Sequence, residues 1–367
     1  MPEKTVGELR AQMTAESRKR SLPRALTLFL GAAGLYLAII AAIVIAPGWP
    51  FRLLLSLTAA FMVGILFVIG HDACHGAFTN RPWLNAVLGR LAFLPSWHPY
   101  SGWEHAHNRV HHAWTNLSGR DYAWAPLDKD VYDRLSSFGR FRARLYRSVL
   151  GFGLYYFLDV YVKRTLWPSR AFRGKTNMAR LAADDCLVFT FIVVQACALA
   201  AGARWYGSGG VMEVLFFGQL LPWMLFNWQI GFLIFLHHTH PQVPWFDDER
   251  EWSFYAGQIR GTAHVVFPGP INWLIHGIME HTAHHADPRV PLYRLGAAQR
   301  ALELAIPDDI VIHAFTWHSF RYTLKVCKLY DYRNHRWLSF AGEPTSSPHV
   351  FSPALAPEPK EDAELLA

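Results

Sequence analysis

Four stretches of the chain are apolar for long enough to cross about 30 Å of hydrocarbon, a distance that takes ~20 helical residues. The first, 25–46, carries no charge, and the second, 53–70, follows after the turn Pro47-Gly48-Trp49-Pro50, so the two form a hairpin. The third and fourth, 186–203 and 214–236, make a second hairpin, and the fourth contains Pro222, Asn227 and Gln229. Two further apolar segments, 87–95 and 149–162, are too short to span and read as interfacial or re-entrant elements. The pattern predicts an all-α integral membrane protein of four transmembrane helices in two hairpins with a cytoplasmic helical cap. Residues 1–24 form a polar N-terminal tail, 25–341 the membrane domain, and 342–367, rich in Pro, Ser, Ala and Glu, a disordered tail.

Composition supports the membrane reading. Hydrophobic residues make up 52% of the 367 and charged residues only 17%, against roughly 25% charged in soluble domains. The net charge of +7 comes from basic residues that form no regular stripe, so nucleic acid is not an expected partner. Arg10, Arg18, Lys19, Arg20 and Arg24 precede the first span, and Arg140, Arg142, Arg144, Arg147, Lys163 and Arg164 lie between the second and third. The short connecting loops hold little beyond Arg52 and Arg204. By the positive-inside rule both termini and the middle segment are cytoplasmic, and a bacterial inner membrane is the expected location. A polar tail before the first span and a second span directly after it argue against a cleavable signal peptide. The cysteines, Cys74, Cys186, Cys197 and Cys327, are scattered with no C-x2-C pair, so neither a disulfide framework nor a thiolate metal site is expected.

Chemistry concentrates in histidines just outside the apolar runs: His71-x3-His75, His107-x3-His111-His112 and His281-x2-His284-His285. Residues four apart share one face of an α-helix, so His71 stacks over His75 and His107 over His111, while His112 points about a quarter turn away, toward a second ion. All-nitrogen ligation suits zinc, copper, iron or nickel. Eight histidines exceed the four or so that one zinc takes, which implies two ions. No G-x-S-x-G, P-loop, HExxH or dinucleotide motif supplies another chemistry, so redox iron fits best. Asp72, Glu104, Glu280 and Asp287 adjoin the clusters, either as partners that orient imidazole N–H groups or as solvated surface charges.

The three boxes with these spans between them resemble the membrane-bound fatty acid desaturases. His71-Asp-Ala-Cys-His-Gly-Ala-Phe, His237-His-Thr-His-Pro, Gly261-Thr-Ala-His and Leu329-Tyr-Asp are similar to the acyl-lipid Δ12/omega-6 branch over about residues 50 to 335. The resemblance implies two irons held by His71, His75, His107, His111, His112, His281, His284 and His285. It implies a ninth ligand after the fourth span, where His238 fits best and His237 and His240 compete. His264 and His276 have no box partner. The second box departs from some relatives, which use a two-residue step, and that shifts a ligand by one helical position. The implied reaction uses O₂ to remove hydrogen from two neighbouring carbons of a fatty acyl lipid, or of a free or thioester-linked fatty acid, leaving a cis double bond. Two electrons per turnover would come from a separate ferredoxin or cytochrome b5-like donor, because the chain carries no redox motif of its own. Trp97, Trp103, Trp114, Trp228, Phe232 and Trp273 lie near the boxes and either line an acyl tunnel or belong to the core and interface belt. The same metal site supports hydroxylation, ketolation or oxidative decarboxylation to a terminal alkene. A non-enzymatic metal-binding or transport protein is the reading from another class.

Overall fold

The computed structural model describes residues 4–174, 176–207 and 209–349. It is mostly helical, and four of its helices are long and apolar enough to cross a membrane: Leu22–Ile45, Trp49–Cys74, Met178–Trp205 and Val211–His238. Each begins or ends beyond the apolar run expected from the sequence. The reason is physical: the backbone ladder continues past the hydrophobic segment wherever polar side chains find partners. The extra turns of the second helix bring in His71 and Asp72, and those of the third bring in Asp184 and Asp185. Pro222 does not break the fourth, because the chain passes through a π-helical stretch, Phe216–Leu220, directly before it, and wider i→i+5 bonding absorbs the missing N–H.

The chain divides into two units, one of Arg20–His105 and Tyr156–Gly231, the other of Met1–Lys19, Ala106–Tyr155 and Phe232–Ala367. The first, the span unit, is built around aromatic packing. The Phe67 ring meets Phe93, His98, Trp103 and Phe226 at centroid distances of 5.0, 5.0, 5.3 and 5.1 Å. Gly70 permits this, since a Cβ there would stand 2.4 Å from the Phe93 ring. Charges in this unit are tied down. Arg52 is buried, and its guanidinium donates to Ile43 O (3.2 Å) and Ala46 O (2.8 Å), the orphan carbonyls at the end of the first helix, and to Glu213 Oε1 (2.7 Å). Asp184, also buried, accepts from Ser101 N (2.9 Å) and from Arg90 Nε (2.6 Å). These bonds fix the segment that enters the second histidine box.

The second unit, rich in histidine, contains the corrections to an all-α expectation. Strand Ala263–Val266 pairs in parallel with Val311–Ala314, and Leu329–Asp331 pairs antiparallel with Arg336–Leu338 with Tyr330 opposite Trp337. The polar N-terminal tail is in part an ordered element. Thr5 and Glu8 form a reciprocal capping box (Thr5 N to Glu8 Oε2 2.7 Å, Glu8 N to Thr5 Oγ1 3.2 Å) that starts helix Val6–Gln12, and Val6, Leu9 and Met13 are buried. At the other end, Glu343 O and Thr345 N bond back to Ser339 N (2.8 Å) and Trp337 O (2.9 Å), so ordered chain continues past Gly342. Residues 350–367 of the expected tail lie outside the described residues.

Replacing Arg52 removes three charge-assisted hydrogen bonds at once. Arg52→Met is expected to destabilise the protein by about 2 kcal/mol or more, seen as a lowered midpoint of thermal unfolding in detergent. Glu213→Gln should cost less, because that carboxylate is 35% exposed.

Candidate metal centre

Three segments of the histidine-rich unit bring imidazoles together. The second box lies on a π-helix, His105–His111, closed by a His112 N to His107 O bond of 2.9 Å. Bonding from i to i+5 places the fifth residue, rather than the fourth, over the first. His112 therefore shares a face with His107, and His111 is turned away, the reverse of the α-helical expectation. The third box lies on a true α-helix, His281–Ala286, where His281 and His285 stack at i and i+4 and His284 diverges. The helix Leu221–His238 ends by delivering His238.

Two sets result. His111, His238, His281 and His285 present nitrogens that all lie within 4.8 Å of one another, and so do His107, His112 and His284. In the first set His281 Nε2 is 3.1 Å from His238 Nε2 and 3.0 Å from His285 Nε2. In the second His112 Nε2 is 3.1 Å from both His107 Nε2 and His284 Nε2. The sets meet where the rings of His112 and His285 stack, 4.2 Å between centroids and 19° apart.

The outer nitrogens decide what these close approaches mean. His111 Nδ1 is 2.9 Å from Asp121 Oδ1, whose carboxylate also accepts from Asn116 N (2.9 Å) and Ala123 N (3.0 Å). His285 Nδ1 is 2.6 Å from Gln258 Oε1, and the orientation of that amide is fixed because Gln258 Nε2 donates to His112 O (2.7 Å). His238 Nδ1 is 3.3 Å from Gly261 O. In each case an oxygen acceptor holds the proton on Nδ1 and leaves the Nε2 lone pair facing inward. A neutral imidazole at His281 has at most one proton for Nε2 and two lone pairs confronting it. That one proton can serve only one of the two contacts at 3.0–3.1 Å, so the other sets two lone pairs face to face, an arrangement a cation would relieve.

The donor set fits that cation. Nitrogens bound at about 2.1 Å and at right angles stand about 3.0 Å apart, which is the observed edge. Burial, reinforced by the neighbouring imidazoles, pushes His281 and His285 well below the ordinary histidine range, so both are neutral ligands at pH 7. Buried, neutral, all-imidazole sites suit a divalent transition metal.

Gly261 belongs to this construction. A Cβ there would meet Gly257 O at 2.1 Å, and its carbonyl also takes Asn116 Nδ2 (2.9 Å). Trp245 Nε1 donates to His238 O (3.3 Å) and fixes the end of that helix. Asp121 and Gln258 were not singled out in the sequence. Their only signal was a polar residue in an apolar or Gly-rich context, which many solvated residues share.

The remaining candidates are placed as follows. His71 and His75 lie in the span unit at the end of Trp49–Cys74, with ring centroids 4.8 Å apart. The His237 ring stacks on His281 at 3.7 Å, and its Nε2 faces Met279 Sδ at 3.3 Å. His240 stacks on His313 at 4.6 Å, and its Nδ1 accepts from Gln242 N at 3.2 Å. His264 Nδ1 faces Glu303 Oε1 at 2.5 Å, while His276 occupies a left-handed turn at φ 55°. Among the four acids expected near the boxes, Glu104 pairs with Arg180 (3.4 Å), Glu280 accepts from Asn272 (2.9 Å), and Asp287 pairs with Arg18 (2.6 Å) and Arg289 (2.8 Å). Asp72 is buried in the span unit. Asn227 bonds within its own helix to Trp223 O (2.8 Å), Trp97 stacks on Trp223 at 4.4 Å, and Trp273 is 78% exposed.

Residues 47–317 match the family described as fatty acid desaturase. The chain is 30% identical over 302 residues to an sn-1 oleoyl-lipid 12-desaturase of Picosynechococcus sp., with 82% of each protein covered. It is 30% identical over 273 residues to a chloroplastic omega-6 fatty acid desaturase of Glycine max, covering 72% of this chain and 59% of that one. An sn-1 acyl-lipid omega-3 desaturase (ferredoxin) of Nostoc sp. is 27% identical over 303 residues, 82% of this chain and 80% of that one.

The orienting bonds give a direct test. Asp121→Asn and Gln258→Leu should each weaken binding of a divalent metal by about 10–100-fold, measured by titrating the purified apoprotein with cobalt(II) and following its absorption. Unchanged affinity in both would show that the outer nitrogens do not set the tautomer.

Proposed function

Because this chain belongs to the fatty acid desaturase family, an oxidoreductase family, we propose that it is a di-iron, O₂-dependent acyl-lipid desaturase of the Δ12/omega-6 type. The observation that carries the reading is the pair of imidazole sets with inward lone pairs, joined to relatives named as oleoyl-lipid 12-desaturases. One iron would be held by His111, His238, His281 and His285. The other would be held by His107, His112 and His284, with His71 and His75 completing its shell. The three nitrogens of the second set leave positions open, and the first box is the remaining pair of the histidine pattern. Iron with O₂ supplies the oxidising power to remove two hydrogens from adjacent unactivated carbons, which no side chain of the protein can do alone.

The residues contribute position and charge. Asp121, Gln258 and the Gly261 carbonyl aim the imidazoles, and burial keeps bulk water from the nitrogens. The protein's part in the reaction would be to hold the acyl chain among apolar side chains so that one C–C bond is in place for oxidation.

The topology proposed is two hairpins, 25–46 with 53–70 and 186–203 with 214–236, in a bacterial inner membrane. The termini, residues 1–24 and 342–367, and a helical cap bearing the metal centre face the cytoplasm, as the basic segments on that side favour. Electrons come from a separate donor, and a ferredoxin is favoured by the Nostoc relative, whose name specifies it. Such a donor is acidic and would be drawn to the basic face.

Expression in a host that makes oleoyl but no polyunsaturated lipids tests the reading. Gas chromatography–mass spectrometry of total fatty acids is expected to show linoleoyl chains that disappear under anaerobiosis and in His111→Ala at equal expression. A hydroxy acid or a terminal alkene in place of the diene would overturn the assigned outcome, and purified protein holding zinc without redox activity would overturn the enzyme reading itself.

A further inference from the structure

Three of the proposed ligands ride on a helix of only six residues, His281–Ala286. Isolated helices shorter than ~12–15 residues do not hold in water, so this one depends on what grips it. Within its first turn, Gln299 Oε1 accepts from Ala283 N at 2.8 Å. The C-terminal end is gripped by residues far away in sequence. Arg10 Nε donates to Ala286 O at 3.2 Å, and Arg18 Nε donates at 2.6 Å to Asp287, whose side chain is fully buried. Arg18 Nη2 returns to Arg10 O at 2.5 Å, linking the two arginines. Arg294 extends the attachment, with Nε on Lys19 O at 2.9 Å and Nη1 3.1 Å from Glu16. The apolar stripe Val6, Leu9 and Met13 is 6%, 0% and 1% exposed.

We propose that residues 5–19 are a clasp that positions the third histidine box, with Arg10 and Arg18 as positioning residues that act through Ala286 O and Asp287. A guanidinium on the last carbonyl replaces the hydrogen bond that a longer helix would have supplied and opposes the negative end of its dipole. The anchored Asp287 stops the helix from unwinding into the following loop. The consequence is specific to the allocation of ligands. His281 and His285 serve one set and His284 the other, so loosening this single helix withdraws ligands from both metals together. Asp121, which bears on His111, touches one set only.

The inference rests on the proposed metal role of the three histidines, and the test separates the two. Full-length protein in lipid nanodiscs is compared with Arg18→Ala, Arg18→Lys and Leu9→Asp by hydrogen–deuterium exchange and by metal analysis. Loss of a charge-assisted hydrogen bond predicts exchange across 283–287 about tenfold faster or more in Arg18→Ala. Both irons should fall in parallel, Arg18→Lys should be intermediate, and exchange in the four spans should stay as in the wild type. If Arg18→Ala does not fold, Arg10→Gln, which removes the charged donor to Ala286 O and leaves Arg18 on Asp287, carries the same expectation in weaker form. Wild-type exchange at 283–287 overturns the clasp, and so does faster exchange spread evenly over the spans. If the wild type binds no metal, the metal reading fails and the exchange measurement alone decides the clasp.

Discussion

The arrangement of the histidine-rich unit follows from a proton that cannot move. Each of three imidazoles has its Nδ1 hydrogen committed to an oxygen (Asp121, Gln258 or the Gly261 carbonyl) at 2.6–3.3 Å. The inward nitrogens of these rings are thereby left as lone pairs, and two of them face His281 Nε2 at 3.0–3.1 Å. Two lone pairs aimed at a nitrogen with at most one proton are an unbalanced arrangement. It is borne because the oxygens behind the rings are themselves locked: Asp121 by two backbone N–H groups, Gln258 by the His112 carbonyl, and Gly261 by a backbone approach that no Cβ would allow. Under the proposed metal role, that pre-organisation would hold the nitrogens ready for a cation.

Charged residues in the span unit serve a different end. Arg52 and Asp184 lie within helices whose length and hydropathy suit a bilayer, a setting in which ionisable groups are expensive and often functional. Here each is saturated by helix ends, backbone N–H groups or an opposite charge. They lock the helices of the span unit to one another, and their cost is offset by hydrogen bonds to groups that would otherwise be orphaned.

The sequence made the helices and the histidines legible, since hydrophobic runs and i, i+4 imidazoles are local signals. It did not reveal which histidines act together. That grouping depends on whether 105–111 winds as α or π, and the α rule pairs His107 with His111 where the π-helix pairs it with His112. Nor did it reveal Gln258, which lies 146 residues from the carbonyl it holds, or Asp121, which is brought to His111 by a tight loop. The N-terminal helix was more accessible than its reading as a tail allowed. Thr5 and Glu8 have capping-box spacing, and Val6, Leu9 and Met13 repeat at helical intervals.

The π-helix also has a meaning at the level of insertions and deletions. In the third box, first and last histidines work together and the middle one serves the other set, on an α-helix with a two-residue step. The second box has the same division of labour with one residue more, and its π-turn is where that residue went. A π-helix is what remains when an α-helix accepts a single inserted residue without disturbing its ends. The H-x3-HH and H-x2-HH spellings are thus two lengths of one arrangement, and a gap in an alignment at this point need not change which imidazoles group together.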